Sequence, residues 1–182
     1  MSNIYEELKI YATANFIIRL ISEDDAKSLL KCYSDINSRP LFNSDMCIGN
    51  FNFNTAEEIK SAIIAWLGCY EREEFIRFSI VDKKTNLAVG TIEMFAMVDA
   101  DKVSTGVLRL DISSEYENEI SLTEIITLCT EEFFDAFSVE KMVTKAIPLA
   151  KKRIASLSAL GFKACNFRGN ESYYSLAKKT TR

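Results

Sequence analysis

The chain has no histidine among its 182 residues. That absence removes Ser-His and Cys-His nucleophile pairs, zincin motifs and any imidazole general base in one step. Chemistry here must use carboxylates, hydroxyls, thiols, amines, backbone or water. The five cysteines, Cys32, Cys47, Cys69, Cys129 and Cys165, are odd in number and widely spaced. No C-x-x-C pair points to zinc or redox work, so no metal is expected and the thiols read as reduced fillers of the core. No run approaches the ~18 apolar residues of a membrane span, and Met1 to Lys9 carries Glu6 and Glu7 where a secretory signal would have an apolar core. The expectation is a cytoplasmic protein with no membrane partner. Basic excess is missing too: 22 Lys and Arg against 26 Asp and Glu leave a net charge of -4, which argues against nucleic acid as a partner.

What the chain does have is apolar mass. Hydrophobic residues make up 48% of it, with 12 Phe, and the length fits one domain over residues 1–182 with a sizeable core. Phe16 to Leu20 reads as a first strand. Ser22 with Asp25 starts a helix in the manner of a capping box, ahead of Ala26, Leu29, Leu30 and Tyr33 at helical spacing. The stretch from Ser34 to Asn54, with Pro40, Gly49 and its asparagines, reads as a loop or broken helix. Thr55 to Glu58 is a full capping box, followed by an apolar stripe of Ile59, Ala62, Ile63, Trp66, Leu67 and Tyr70.

Ile76, Phe78 and Ile80 alternate with polar or small neighbours, Asp82 to Asn86 supplies a turn, and Leu87 to Val98 completes a hairpin. Val107 to Ile112 follows, with Leu108, Leu110 and Ile112 on one face and Arg109 and Asp111 on the other. A helix from about Leu122, a strand over Lys141 to Ile147, a helix with Pro148 in its first turn and Gly161 at its end, and two strands around Gly169-Asn170 complete the order. This order predicts an α+β fold, a mixed and mostly antiparallel sheet flanked by helices, with one parallel step between Leu108 and Ile147. A right-handed crossover there sets a helix N-terminus beside the end of strand Val107–Ile112, a usual ligand position.

Ile18-Arg19-Leu20 then Ser22-Glu23-Asp24-Asp25, Phe78-Ser79-Ile80-Val81, Val89-Gly90-Thr91-Ile92 and Ala159-Leu160-Gly161-Phe162 stand in an order that resembles the GNAT superfamily of N-acetyltransferases. The likeness runs from Phe16 to Ala177 and is best to the branch that acetylates ribosomal-protein N-termini and small amines. It implies a GNAT-like fold, acetyl-CoA as co-substrate, and acetyl transfer to a primary amine on a small molecule or a peptide N-terminus. It also implies that pantetheine pairs with the backbone of Asp111, Ile112 and Ser113. The pyrophosphate would rest on N–H groups at the following helix start, here Asn118, Glu119, Ile120, Ser121 and Leu122. The family's Arg/Gln-x-x-Gly-x-Gly/Ala turn is degenerate in this chain, with Asn118 and Ile120 at the glycine positions. Asn118 is a tolerable replacement, because Asn visits the left-handed region readily. Ile120 is expected to block the cradle or force another loop conformation. Glu117 and Glu119 carry the sign of a phosphate, while Lys151, Lys152 and Arg153 could offset the lost cradle by contacting CoA phosphates, although a basic solvated face is the commoner meaning of such a run.

Relatives often carry a glutamate where Val107 stands, and Asn then Ser where Ala150 and Arg153 stand, so those roles do not carry over. Glu93 and Asp111 remain as general-base candidates, and Tyr174 as a hydroxyl that could reach the thioester sulfur. Two functions stay open: an acetyl-CoA-dependent N-acetyltransferase with the substrate amine as nucleophile, or a catalytically impaired GNAT-fold domain that works as a binding or interaction module. A homodimer through a sheet edge or the Phe51-Asn52-Phe53 loop is a third.

Overall fold

The computed structural model of the chain describes residues 4–49 and 51–179. Met1 to Asn3 of the leader reading and Asn50 of the loop reading lie outside the described residues. Eight strands form one sheet: β1 (Tyr11–Ala12), β2 (Phe16–Leu20), β3 (Ile76–Asp82), β4 (Leu87–Val98), β5 (Ser104–Ile112), β6 (Lys141–Lys145), β7 (Lys163–Phe167) and β8 (Asn170–Ala177). They lie in the order β1-β2-β3-β4-β5-β6-β8-β7. Neighbours are antiparallel except β5 and β6, which run parallel from Thr105 opposite Lys141 to Leu108 opposite Thr144. β5 continues to Ile112 while β6 stops at Lys145, so the two strands part company beyond Leu108.

Four helices cover the sheet: α1 (Ala26–Tyr33), α2 (Ala56–Glu71), α3 (Glu119–Ala136) and α4 (Lys151–Ala159). The alternation in β3, β4 and β5 decides which helices go where. Ile76, Phe78, Ile80, Ile92, Met94, Leu108, Leu110 and Ile112 face α3 and α4, and pack with Leu122, Ile125, Ile126, Phe133 and Leu157. The opposite face meets α1 and α2 and carries Arg77, Ser79, Thr91, Glu93, Arg109 and Asp111, all buried. Burial of that many polar groups requires each to find partners, because an unpaired one costs about 1–3 kcal/mol.

Both capping boxes form. Ser22 closes a short 3-10 turn (Glu23–Asp25) that runs into α1, and the carboxylate of Asp25 also accepts from Arg19 and Ser79. Thr55 and Glu58 cap α2 reciprocally. Gly90 brings β4 against β5 so closely that a Cβ there would stand 2.3 Å from the Asp111 carbonyl oxygen. The last hairpin turns through Arg168 and Gly169, both at positive φ (55° and 84°), the two-residue geometry that matches strand twist. Several boundaries differ from the sequence reading: β5 begins at Ser104 and not Val107, and β6 ends at Lys145 and not Ile147. α4 begins at Lys151, leaving Pro148 in the preceding turn, and α3 begins at Glu119, one turn earlier than the apolar pattern marked.

All five cysteines are free, with Cys32 and Cys129 buried. Among the described residues no helix is long and apolar enough to cross a membrane.

Candidate functional site

Where β5 and β6 diverge, a gap opens at the C-terminal end of β5. In this chain a side chain fills it. Arg153, on the first turn of α4, is 2% exposed and extends through the gap. Its Nη1 donates to the Leu110 carbonyl oxygen of β5 at 2.9 Å and to the Leu41 carbonyl oxygen, in the loop between α1 and α2, at 3.3 Å. Its Nε and Nη2 form a two-pronged pair with Glu117 at 3.0 and 2.7 Å. Every guanidinium nitrogen therefore has an acceptor. Arg153 belongs to the interior, not to the solvated face that the Lys151-Lys152-Arg153 run suggested, and Glu117 is its buried counter-ion. The charge run misleads because only two of its three members point outward: Lys151 and Lys152 are exposed.

Most N–H groups of the turn from β5 into α3 are already bonded, those of Glu119 and Ile120 at the start of the helix excepted. Ser113 N–H donates to the Val89 carbonyl, Ser114 N–H to the Asp35 carboxylate at 2.9 Å, and Ser121 N–H to the Asn118 side chain at 3.0 Å. The N–H groups of Tyr116, Glu117, Asn118 and Leu122 find carbonyls within the same turn. Asn118 is the N-cap of α3 at φ -131°, an extended conformation and not the left-handed one that a glycine replacement suggests. Its side-chain oxygen holds a donor that a phosphate would need. Ile120 is 79% exposed and points to solvent. Burial would raise Asp35, but hydrogen bonds from Ser114, Ser38 and Asn37 outweigh it and keep the carboxyl well below the usual carboxylate range.

An acyl-CoA needs unpaired strand backbone for pantetheine and unpaired N–H groups for pyrophosphate. The residues present do not fit that demand. Arg153 holds Leu110 beside the positions assigned to pantetheine, Ser113 is bonded to β4, and three of the five cradle donors, those of Asn118, Ser121 and Leu122, are taken within the turn.

The other face of the sheet holds a cleft of about 600 Å³ between α2, the loop residues Met46, Cys47, Ile48 and Phe51, strands β3 to β5 and the β7–β8 turn. Apolar side chains dominate its walls, among them Trp66, Phe75 and Phe95, and its floor is charged. Arg77 and Arg109 both donate to Glu93, one to each carboxylate oxygen. Arg77 also reaches the Tyr33 hydroxyl at 3.0 Å, Thr91 at 3.1 Å and Asp111 at 3.3 Å. Arg109 donates to the Asp45 carbonyl oxygen at 2.6 Å, which ties the loop down. Asp45 is held in turn by Lys145, Tyr173 and Asn170. Burial pushes Asp111 above its usual range against the pull of Arg77 and Arg153, and pushes the Tyr33 hydroxyl well up.

The structure brings Glu93 and Asp111 together through Arg77 and sets Tyr174 elsewhere. Tyr174 pairs with Thr144, which pairs with Leu108, so it lies on the α3–α4 face while Glu93 and Asp111 lie on the α1–α2 face. Its neighbour Tyr173 is the tyrosine on their face. Asp111, Ile112 and Ser113 continue β5 beside Arg153, and Glu119 to Leu122 form the first turn of α3. Sequence reasoning missed Arg153, Glu117, Arg77 and Tyr33 as site residues. One signal was available: polar residues at alternate positions on three successive strands, Arg77, Glu93 and Arg109.

No protein-family model matches the sequence, and neither does any curated protein. Solved structures do match in shape. The ribosomal-protein-S5-alanine acetyltransferase from Vibrio fischeri aligns at a TM-score of 0.70 with 17% identity, over 93% of this chain and 97% of that one. A GNAT-family acetyltransferase from Bacillus anthracis aligns at 0.67 with 14% identity, over 93% and 99%. The microcin C7 self-immunity acetyltransferase MccE, solved with acetyl-CoA and AMP, aligns at 0.66 with 18% identity, over 90% and 93%. Likeness at such identities is likeness of fold, and the chain has the α+β fold of the GNAT acetyltransferases.

Proposed function

We propose that this chain is a single GNAT-fold domain that binds a small molecule in the cleft over Arg77 and Arg109 and does not transfer acetyl from acetyl-CoA. The carrying observation is Arg153, buried in the gap between β5 and β6 with its charge matched by Glu117. Removing one partner from a buried ion pair costs about 3–5 kcal/mol, so a ligand that had to displace Arg153 would bind roughly two to nearly four decades more weakly. The proton-transfer candidates support the same reading. Both oxygens of Glu93 are taken by guanidinium donors, and Asp111 is buried beneath Tyr33.

A second reading is kept alive by the divergence of β5 and β6 together with the shared fold: acetyl transfer to a primary amine of a small molecule or peptide N-terminus. Titration calorimetry with acetyl-CoA separates the two. No heat and no thermal shift at roughly millimolar ligand is the expected result. Micromolar binding would reject the binding-module reading and restore the transferase.

A further inference from the structure

The cleft on the α1–α2 face is floored by charges that are closed off from it. Arg77 and Glu93 are each 1% exposed and Arg109 is 5% exposed. They answer one another: Arg77 pairs with Glu93 and Asp111, and Arg109 pairs with Glu93, so two cations stand against two anions. The polar atoms left over, the Nε of each arginine and Asp111 Oδ1, are sealed from solvent, so none is offered to an incoming group. Aromatic rings take the guanidinium faces. Trp66 lies 4.1 Å and Phe51 5.3 Å from the Arg77 carbon, and Phe95 lies 5.1 Å from that of Arg109.

What the cleft offers is apolar. Phe75, Phe95 and the thiols of Cys47 and Cys69 are half-buried along its walls, and Ile48 is fully exposed at its edge. The charges of the rim are engaged as well. Both oxygens of Glu74 accept from Arg72, and Arg168 donates to the Met46 sulfur at 3.1 Å. An ion that entered would give up its water and meet counter-ions already taken, which is costly. An uncharged ring gives up little water and gains contact with ring faces and edges. The volume of about 600 Å³ leaves room for such a molecule.

We propose that this cleft takes an uncharged aromatic molecule of one or two rings, seated against Trp66, Phe75 and Phe95 and making no ion pair with the protein. An acid and an amine of the same size are both disfavoured. The acid finds only Arg168 at the exposed mouth, and the amine finds no carboxylate with a free oxygen among the lining residues. The inference rests on the reading that the cleft is the binding site, and it specifies the ligand class.

The test uses the whole protein without acetyl-CoA, so its outcome is independent of whether acetyl-CoA binds. Trp66 is the one tryptophan of the sequence and lines the cleft, so its emission reports on this place alone. Phenethyl alcohol, phenylacetate and phenethylamine are titrated at neutral pH, with excitation beyond their own absorption. The expected result is a saturable change of emission with the alcohol, which binds at least about tenfold more tightly than either ion. Ala65 lines the cleft from an exposed position on α2, and arginine suits a helix, so Ala65→Arg should fold normally. It should weaken the alcohol at least about fivefold by filling the mouth. Binding of the acid or the amine as tight as that of the alcohol overturns the ligand class while leaving the cleft as the site. Unchanged affinity in Ala65→Arg overturns the placement, and no response to any of the three up to roughly 10 mM overturns the proposal. So does a change of Trp66 emission on raising the protein concentration alone, which would give the cleft to a second copy of the chain.

Discussion

Two buried arginine-carboxylate clusters lie on opposite sides of strand β5, and they differ in how completely they are satisfied. At the β5–β6 gap, one arginine meets one glutamate and two carbonyls, and no nitrogen is left over. Across the sheet, two arginines share Glu93, Arg77 also pairs with Asp111, and one nitrogen of each arginine and Asp111 Oδ1 lack a partner among the described residues. The first arrangement is finished by the chain itself. The second leaves two buried donors and one buried acceptor unanswered. A site the protein has filled and a site it has left unfilled can therefore be told apart by hydrogen-bond accounting, even when both consist of the same residue types.

The largest expected effect strikes the filled side. Arg153→Met should destabilise the fold by about 3–5 kcal/mol in urea denaturation, since Glu117 would be left buried and unpaired. Adding Glu117→Leu should return most of that loss. If Arg153→Met alone were neutral, the pair would not be the buried seal described here. Next in size is a change of ligand behaviour. Arg153→Ser with Glu117→Gly empties the gap and removes the opposing carboxylate, and acetyl-CoA affinity by calorimetry should rise at least about tenfold over wild type. No gain would mean that the gap is not the obstacle.

On the unfilled side, Tyr33→Phe removes a hydroxyl shared by Arg77, Thr91 and Asp111. A loss of about 1–2 kcal/mol is expected, smaller than that of Arg153→Met because the arginine keeps its carboxylate partners. The smallest effect is one of pH. The carboxyl of Asp35 is depressed in the folded state, so it contributes stability that is fully present above its unfolded value of about 3.9 and is lost as pH falls through the folded value. Asp35→Asn should therefore lower the urea midpoint at neutral pH, and its gap to wild type should narrow below about pH 4. A gap that stayed constant across that range would show that the Ser114 contact does not depend on charge.

Much of the fold was legible because burial imposes period. The even residues of β5 had to face one layer and the odd ones the other, and the capping boxes at Ser22 and Thr55 marked helix starts that the structure keeps. The site was less legible, for a physical reason. Arg153 sits beside two exposed lysines and is exceptional only because β5 and β6 diverge there, which is a fact of three-dimensional placement. Asn118 shows the same limit. Its tolerance for left-handed backbone was readable from its type, but a side chain that caps its own helix has no need of that conformation. Ile120 looked obstructive in sequence and turns out toward solvent, while the neighbouring Glu117 goes inward.

The strut formed by Arg153 also changes what the fold depends on. The parallel ladder between β5 and β6 joins two halves of the sheet through only four residue pairs, Thr105 to Leu108 against Lys141 to Thr144. A fold braced at that seam by a bound metabolite gains stability as the metabolite becomes abundant and loses it in scarcity. Here Arg153 from one half reaches Leu110 and Leu41 in the other, and Lys145 from the same half as Arg153 grips Asp45 across the seam. The brace travels with the chain, so the seam is held without any ligand in place.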